Sequence, residues 1–418
     1  MRIAVVNWSS REAGGAERYL GRVIPALGEA GHEVALLHEL DVPLDRSPIA
    51  LPAGAPAWCV AELGAERALA ALRAWAPELV YVHNVHDPAL EAEIQTVAPA
   101  VFFAHGYFGT CISGSKSFGR PTTMPCDRVF GWRCLAHYYP RRCGGLSPLT
   151  MLRDYGTQAK RRDLLSGYAA IVTNSAHMQS EYARHVEDPS RVHAVPLPVS
   201  WEGSAAETDG GEPRVSPRAV SGEPWNLLFL GRMTSLKGGL VLLDALGPAS
   251  EALGRPLRAV FAGDGPDREL WRSRGAGVQA RTPGVSVEFV GWADDAELEG
   301  LWSETDLLVV PSLWPEPFGL VGPEAGLRGV PSVAFAVGGI PDWLVDGVSG
   351  HLAPADPPTA AGLADAIARS LRDPAGHARL GRGARRVAAR FCDEAHLAAL
   401  EGIFEDVVGQ GEPAGTGT

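Results

Sequence analysis

Two runs of short apolar segments alternating with helical patterns constrain this chain more than any other feature. In the first run, residues 3–7, 33–37, 79–83, 100–104 and 169–174 read as strands, with helices expected at 16–30, 65–75, 88–97 and about 148–165. In the second, strands at 226–230, 257–262, 285–290, 307–310 and 332–336 alternate with helices at 239–246, 294–303, 322–327, 359–371 and 376–390. Such alternation demands parallel βαβ units. The expected fold is α/β, with two doubly wound, Rossmann-like parallel-sheet domains. Residues 202–224 lack apolar periodicity and read as a linker. The domains are therefore placed at 1–201 and 225–390. A final helix at 391–408 is expected to cross back to the first domain, and a disordered tail at 409–418 to follow it. Ligands bind beyond the carboxyl ends of strands in such sheets, so two facing domains predict one deep cleft.

Composition removes several function classes. A net charge of -12 is opposite to that of a nucleic-acid binder, and no nucleic-acid partner is expected. The opening MRIAVVNWSS is too short an apolar run for a secretory leader, and no stretch approaches the roughly 18 apolar residues of a membrane span. The expected location is cytoplasmic, with peripheral contact at the inner face of the cell membrane as the further option. No Gly-Lys-Ser/Thr phosphate loop is present, which disfavours an NTPase.

Two motifs carry chemistry. Gly231-Arg232-Met233-Thr234-Ser235-Leu236-Lys237-Gly238-Gly239 follows a predicted strand, and its Arg and Lys are spaced to converge on one anion. Read alone, it is equally a strand-to-helix turn with two solvated cations. The chain has only three lysines (Lys116, Lys160, Lys237), so a lysine here favours the compact charge of a phosphate contact. The second motif is Glu316-Pro317-Phe318-Gly319-Leu320-Val321-Gly322-Pro323-Glu324. Gly319 to Gly322 are expected to offer free backbone N–H groups at a helix start, Glu324 to accept ribose hydroxyls, and Glu316 to hold sugar hydroxyls. Acidic residues near a helix N-terminus are also favourable without any ligand.

Taken with Gly14-Gly15-Ala16-Glu17, His105, Thr173-Asn174-Ser175, Gly263-Asp264-Gly265, Gly291-Trp292 and Gly338-Gly339-Ile340, these motifs resemble the family 4 retaining glycosyltransferases of the two-domain GT-B architecture (the group 1 type). They run in that family's order over roughly residues 1–390. Asp342 departs from the pattern, where Glu is more usual. The resemblance implies that a sugar moves from a nucleotide-diphosphate donor, UDP- or GDP-sugar favoured, to a glycan, lipid-linked or small-molecule acceptor. It assigns Arg232 and Lys237 to the diphosphate, and Glu316 with the Phe318-Gly319-Leu320 backbone to phosphate and sugar. Glu324 falls to the ribose, Gly291 and Trp292 to the base, and Gly15 to close phosphate approach. His105, ending a strand, is implied to sit over the donor sugar. It would hydrogen-bond a hydroxyl there and steady developing positive charge as a neutral imidazole.

Arg232, Lys237, Glu316 and His105 are thus the catalytic candidates. The nucleotide-sugar is a substrate, and no cofactor is required. Fixed cations at the leaving diphosphate make a metal unnecessary, and the metal-binding Asp-x-Asp motif is absent from the sequence. No carboxylate nucleophile is assignable, so front-face attack is expected. Two alternatives stay open, a silent sugar-nucleotide-binding subunit and a nucleotide-sugar epimerase; a phosphorylase would need a pyridoxal-binding lysine in the second domain, where only Lys237 is available and its motif suits phosphate better. His83 and His86 either line the acceptor side or belong to a polar loop.

One segment is foreign to the pattern. Cys111, Cys126, Cys134 and Cys143 fall within a loop spanning 106–147. A structural zinc site on these four cysteines is one expectation, and buried or incidental thiols the other. Arg120, Arg128, Arg133, Arg141, Arg142, Arg153, Lys160, Arg161 and Arg162 make the same region basic. An anionic membrane or phosphorylated lipid would suit it, as would a solvated helix face.

Overall fold

The computed structural model describes residues 1–199 and 218–410. The strands are β1 (Arg2–Ser9), β2 (Glu33–Leu40), β3 (Ala57–Cys59), β4 (Leu79–Val82), β5 (Ala100–Ala104), β6 (Ser117–Phe118), β7 (Met124–Pro125), β8 (Ala170–Thr173), β9 (Val192–Ala194), β10 (Trp225–Leu230), β11 (Leu257–Ala262), β12 (Val285–Gly291), β13 (Leu307–Val310), β14 (Ser332–Phe335) and β15 (Gly350–Ala353). One seven-stranded sheet has the order β3-β2-β1-β4-β5-β8-β9, and one six-stranded sheet the order β12-β11-β10-β13-β14-β15. Every pairing within these two sheets is parallel.

Both orders run outward in two directions from the first strand, so each sheet has a switch point, at β1/β4 and at β10/β13. There the helices of the two halves diverge and leave the strand ends open for a ligand. Strands β4, β5, β13 and β14 are buried along their whole length, as strands covered by helices on both faces must be.

The chain divides into two compact units. The first comprises Met1–Ser115, Arg128–Leu197 and the chain from Glu394 onward; the second comprises Lys116–Asp127 and Pro198–Asp393. The loop 106–147 was expected whole within the first domain. Its central segment instead groups with the second unit, closing on itself through the antiparallel pair β6/β7 and the Cys126 N–H to Lys116 carbonyl bond. The last helix, Asp393–Gly409, buries His396, Leu400, Ile403, Phe404 and Val407. Phe404 packs edge-on against Tyr81 of β4, and His32 of the first unit meets Glu401 at 2.9 Å.

Several elements differ from the expectations. The helix expected at 239–246 runs Gly239–Leu253, straight through Pro248, because Ala249 and Ser250 continue its buried face. Gly254, at a φ of 61°, ends it. Helix Arg268–Arg281 was not anticipated: it is rich in Arg and Gly and buries only Trp271, Gly275 and Val278. Strands β3 and β9 are three residues each, too short for a recognisable alternation. Within the expected linker, 202–217 lie outside the described residues, while Arg218–Ser221 form a short helix. Of the expected tail, residues 411–418 lie outside them too.

Candidate active site

In the second unit the switch point is built by the turns after β10 and β13. After β10 the chain crosses Gly231 to a single helical turn, Ser235–Lys237, and Gly238 then adopts a φ of 70° to open helix Gly239–Leu253. Gly238 is required on two counts. Its φ is left-handed, and a Cβ there would run into the carbonyl oxygen of Pro311 in the neighbouring turn. The two turns are also joined by the Leu313 N–H to Leu236 carbonyl bond at 2.8 Å.

That close approach brings Lys237 onto Glu316. Lys237 Nζ donates to Glu316 Oε1 at 2.6 Å, and the Ser312 hydroxyl donates to the same oxygen at 2.5 Å. Lys237 also lies 5.7 Å from the centre of the Trp314 ring. Glu316 is buried, and its charge is matched by the lysine and the hydroxyl. Its backbone is held as well: its carbonyl accepts from Gly339 N–H at 2.7 Å, in the Gly338-Gly339 turn after β14. Arg232 is exposed, and its side chain makes no ion pair or hydrogen bond among the described residues.

Phe318 is buried edge-on against Phe391, and Trp343 Nε1–H donates to its carbonyl at 2.6 Å. The amides of Gly319, Leu320 and Val321 precede the first bond of helix Val321–Leu327 and donate to nothing among the described residues. Gly322 is a correction to the expected anion site: its N–H is already bonded to the Gly319 carbonyl at 3.1 Å, since the turn closes on itself. Glu324 lies in the first turn of that helix, partly exposed. The loops after β10, β11 and β12 are laced together, Gly263 N–H bonding to Gly291 and Met233 N–H to Asp264. Trp292 follows, 63% exposed.

In the first unit, β1 leads to Gly14 and to Gly15, the exposed first residue of helix Gly15–Glu29. Glu17, one turn in, is buried and accepts from Trp8 Nε1–H at 2.8 Å and from the Asn7 side-chain amide at 3.3 Å. His83 follows β4 and His105 follows β5. Their rings meet, with His83 Nδ1 2.9 Å from His105 Nε2. Tyr19 packs against both rings, and its hydroxyl hydrogen-bonds Tyr81 Oη at 2.8 Å and His396 Nε2 at 2.9 Å. Burial holds the His105 imidazole down, at a pKa of about 3, with His396 adding to the effect; His83 is likewise pushed well below its ordinary value by burial and by His105.

The pattern of residues does not reveal this His–His contact, nor the parts of Tyr19, Trp343 and His396, because each partner comes from a separate element; Ser312, four residues before Glu316 in the same turn, carries no signal of its own. His86 stands apart from the pair. It stacks on Trp8 and lines an open pocket of about 430 Å³ with Glu39, Val60, Ala61, Asp87 and Leu90.

The four loop cysteines are not assembled into the expected zinc site. Among the described residues no disulfide joins them, and no cluster of three or more metal-ligating side chains exists. Cys134 and Cys143 instead pack against the apolar cluster of Ile112, Phe130 and Tyr138, while Cys126 falls in the segment grouped with the second unit.

Comparisons with known proteins agree with this fold. Residues 13–202 match the model of the family described as Glycosyltransferase Family 4, and residues 224–373 the model described as Glycosyl transferases group 1. The D-inositol 3-phosphate glycosyltransferase of Corynebacterium aurimucosum is 30% identical over 270 residues, 60% of this chain and 61% of that protein. The glycogen synthase of Mycobacterium tuberculosis is 36% identical over 166 residues, 39% of this chain and 38% of that one. The chain thus spans about 60% or less of the length of these curated relatives. Among solved structures, Anabaena HepE in complex with UDP and glucose superposes with a TM-score of 0.65 at 19% identity, over 97% of this chain and 100% of that one. Sucrose-phosphate synthase from Thermosynechococcus elongatus gives 0.66 at 22% identity, over 98% and 100%. The chain is a GT-B fold protein related to the family 4, group 1 glycosyltransferases.

Proposed function

We propose that the protein is a retaining, metal-independent glycosyltransferase that moves a sugar from a UDP-sugar to a glycan, lipid-linked or small-molecule acceptor. One observation carries this most directly. At the β10/β13 switch point, Lys237 is clamped on the buried Glu316 beside an uncommitted Arg232 and the open amides of Gly319 to Val321. Such a place suits a diphosphate. Its charge grows as the sugar bond breaks, and fixed cations and amides stabilise that growth without reorganising. Phosphate arrival would draw Lys237 partly from Glu316 and free the carboxylate for sugar hydroxyls. Glu324 is the ribose partner, Gly291 and Trp292 lie at the base, and Gly15 admits phosphate. His105 hydrogen-bonds the sugar. The UDP preference rests on the related structure that holds UDP and glucose. The location is cytoplasmic, with peripheral contact at the inner membrane face through the basic segment that follows Arg128.

A thermal-shift screen of UDP-, GDP- and ADP-sugars tests the donor site. A UDP-sugar should stabilise the wild type, and Glu324→Ala should lose that shift. No shift with any nucleotide-sugar would overturn the assignment. Lys237→Ala should lower kcat by roughly 30-fold to 1,000-fold, a loss of about 2–4 kcal/mol in leaving-group stabilisation. Turnover near that of the wild type would remove Lys237 from the mechanism.

A further inference from the structure

His83 and His105 close two neighbouring parallel strands, β4 and β5, and a single proton lies between their facing nitrogens. Two tautomer arrangements satisfy that contact. If His105 donates through Nε2–H, then neutral His83 must carry its own proton on Nε2. That atom is buried and has no hydrogen-bond partner among the described residues. A buried N–H without an acceptor is less readily tolerated in folded proteins than an acceptor left unused. If His83 donates through Nδ1–H instead, only a lone pair is left at the buried Nε2.

We infer that His83 is a positioning residue that holds His105 in the tautomer with its proton on Nδ1, so that His105 meets substrate as a hydrogen-bond donor. The inference rests on the reading of His105 as a residue that touches the donor sugar. His105 is partly exposed, and its Nδ1 makes no hydrogen bond among the described residues. With Nε2 occupied by His83, Nδ1–H is the one polar group that the ring can offer. The hydrogen bond at one ring nitrogen decides what the other presents. Burial keeps both rings neutral, so the tautomer is not erased by a second proton. Tyr19 packs against both rings and limits their rotation.

The test has a spectroscopic and a kinetic arm, both on the full chain. Nitrogen-15 correlation spectra of histidine-labelled protein, with the His105 signals identified by their loss in His105→Gln, should show a protonated Nδ1 and a bare Nε2 on His105. A protonated Nε2 there would overturn the inference. In the kinetic arm, His83→Asn retains an N–H close to the place of Nδ1 and should keep kcat within about threefold, whereas His83→Leu should lose on the order of tenfold to a hundredfold in kcat with donor KM little changed. Equal losses in both variants, each folded by circular dichroism, would refute the positioning role. His105→Gln separates the two readings: if it turns over normally, His105 does not touch the sugar, while the spectra still judge the tautomer.

Discussion

Two neutral imidazoles in contact, His83 buried and His105 partly so, make stability depend on pH. An unfolded histidine titrates near 6.5, while His105 in the folded chain does so near 3 and His83 is also pushed well down. Above pH 6.5 neither state is protonated at these residues, and the contact is intact. As pH falls from 6.5 towards 3 the unfolded chain takes up protons that the folded chain refuses, so stability is lost across that window. His105→Asn removes one of the two groups. Its melting temperature should therefore fall less than that of the wild type between about pH 7 and pH 5. Parallel declines in the two proteins would mean that other groups govern the acid limb. In the proposed reaction the same neutrality would help, because an imidazolium would repel the positive charge that develops on a departing sugar.

At the scale of elements, helix Pro148–Leu164 has two unlike faces. Met151, Tyr155 and Ala159 turn inward onto Ile112, Phe130 and Tyr138. Leu149 and Leu152 point out, 80% and 55% exposed, and Leu146 and Trp132 earlier in the chain are 66% and 69% exposed. From Arg128 to Arg153 the sequence holds five arginines and no Asp or Glu. Exposed leucines among arginines suit an anionic bilayer surface, where apolar burial and charge attraction add. The protein should sediment with vesicles containing anionic lipid and less with neutral ones. The triple change Leu146→Ser, Leu149→Ser and Leu152→Ser should abolish sedimentation while leaving UDP-sugar turnover on a soluble acceptor unchanged. Retained binding by the triple variant would rule out this face. This helix and its basic character are legible in the sequence, but which side chains stay exposed is not, since its apolar residues occur on both faces. The donor turns were legible for the opposite reason: Gly231 to Gly239 and Glu316 to Glu324 each lie within one strand–turn–helix passage, so residue types and spacing describe the geometry. The Lys237–Glu316 clamp and the His83–His105 contact were not, because they join side chains that follow different strands, 79 and 22 residues apart.

At the scale of the whole molecule, the chain's last helix completes the first unit rather than the second that precedes it in sequence. Leu400 and Phe404 are fully buried, Phe404 lies against Tyr81, and His396 ties Tyr19 to the carbonyl of Pro196. The strands of the first sheet thus precede its last helix in the chain, and their packing waits for residues 394–410. Phe404→Ala should cost about 3–5 kcal/mol by leaving a cavity against β4. The loss should be local, because hydrogen exchange resolves the stability of separate parts of a protein. Amides of β1, β4 and β5 should exchange faster in the variant, and those of β10 and β13 should exchange as in the wild type. Uniform acceleration would show that the two units unfold as one. A fragment of residues 1–199 should likewise fold only when a peptide of residues 392–410 is supplied, with the Tyr19–His396 contact remade. Cooperative folding of that fragment alone would show the helix to be an addition to the first unit instead of a part of its core.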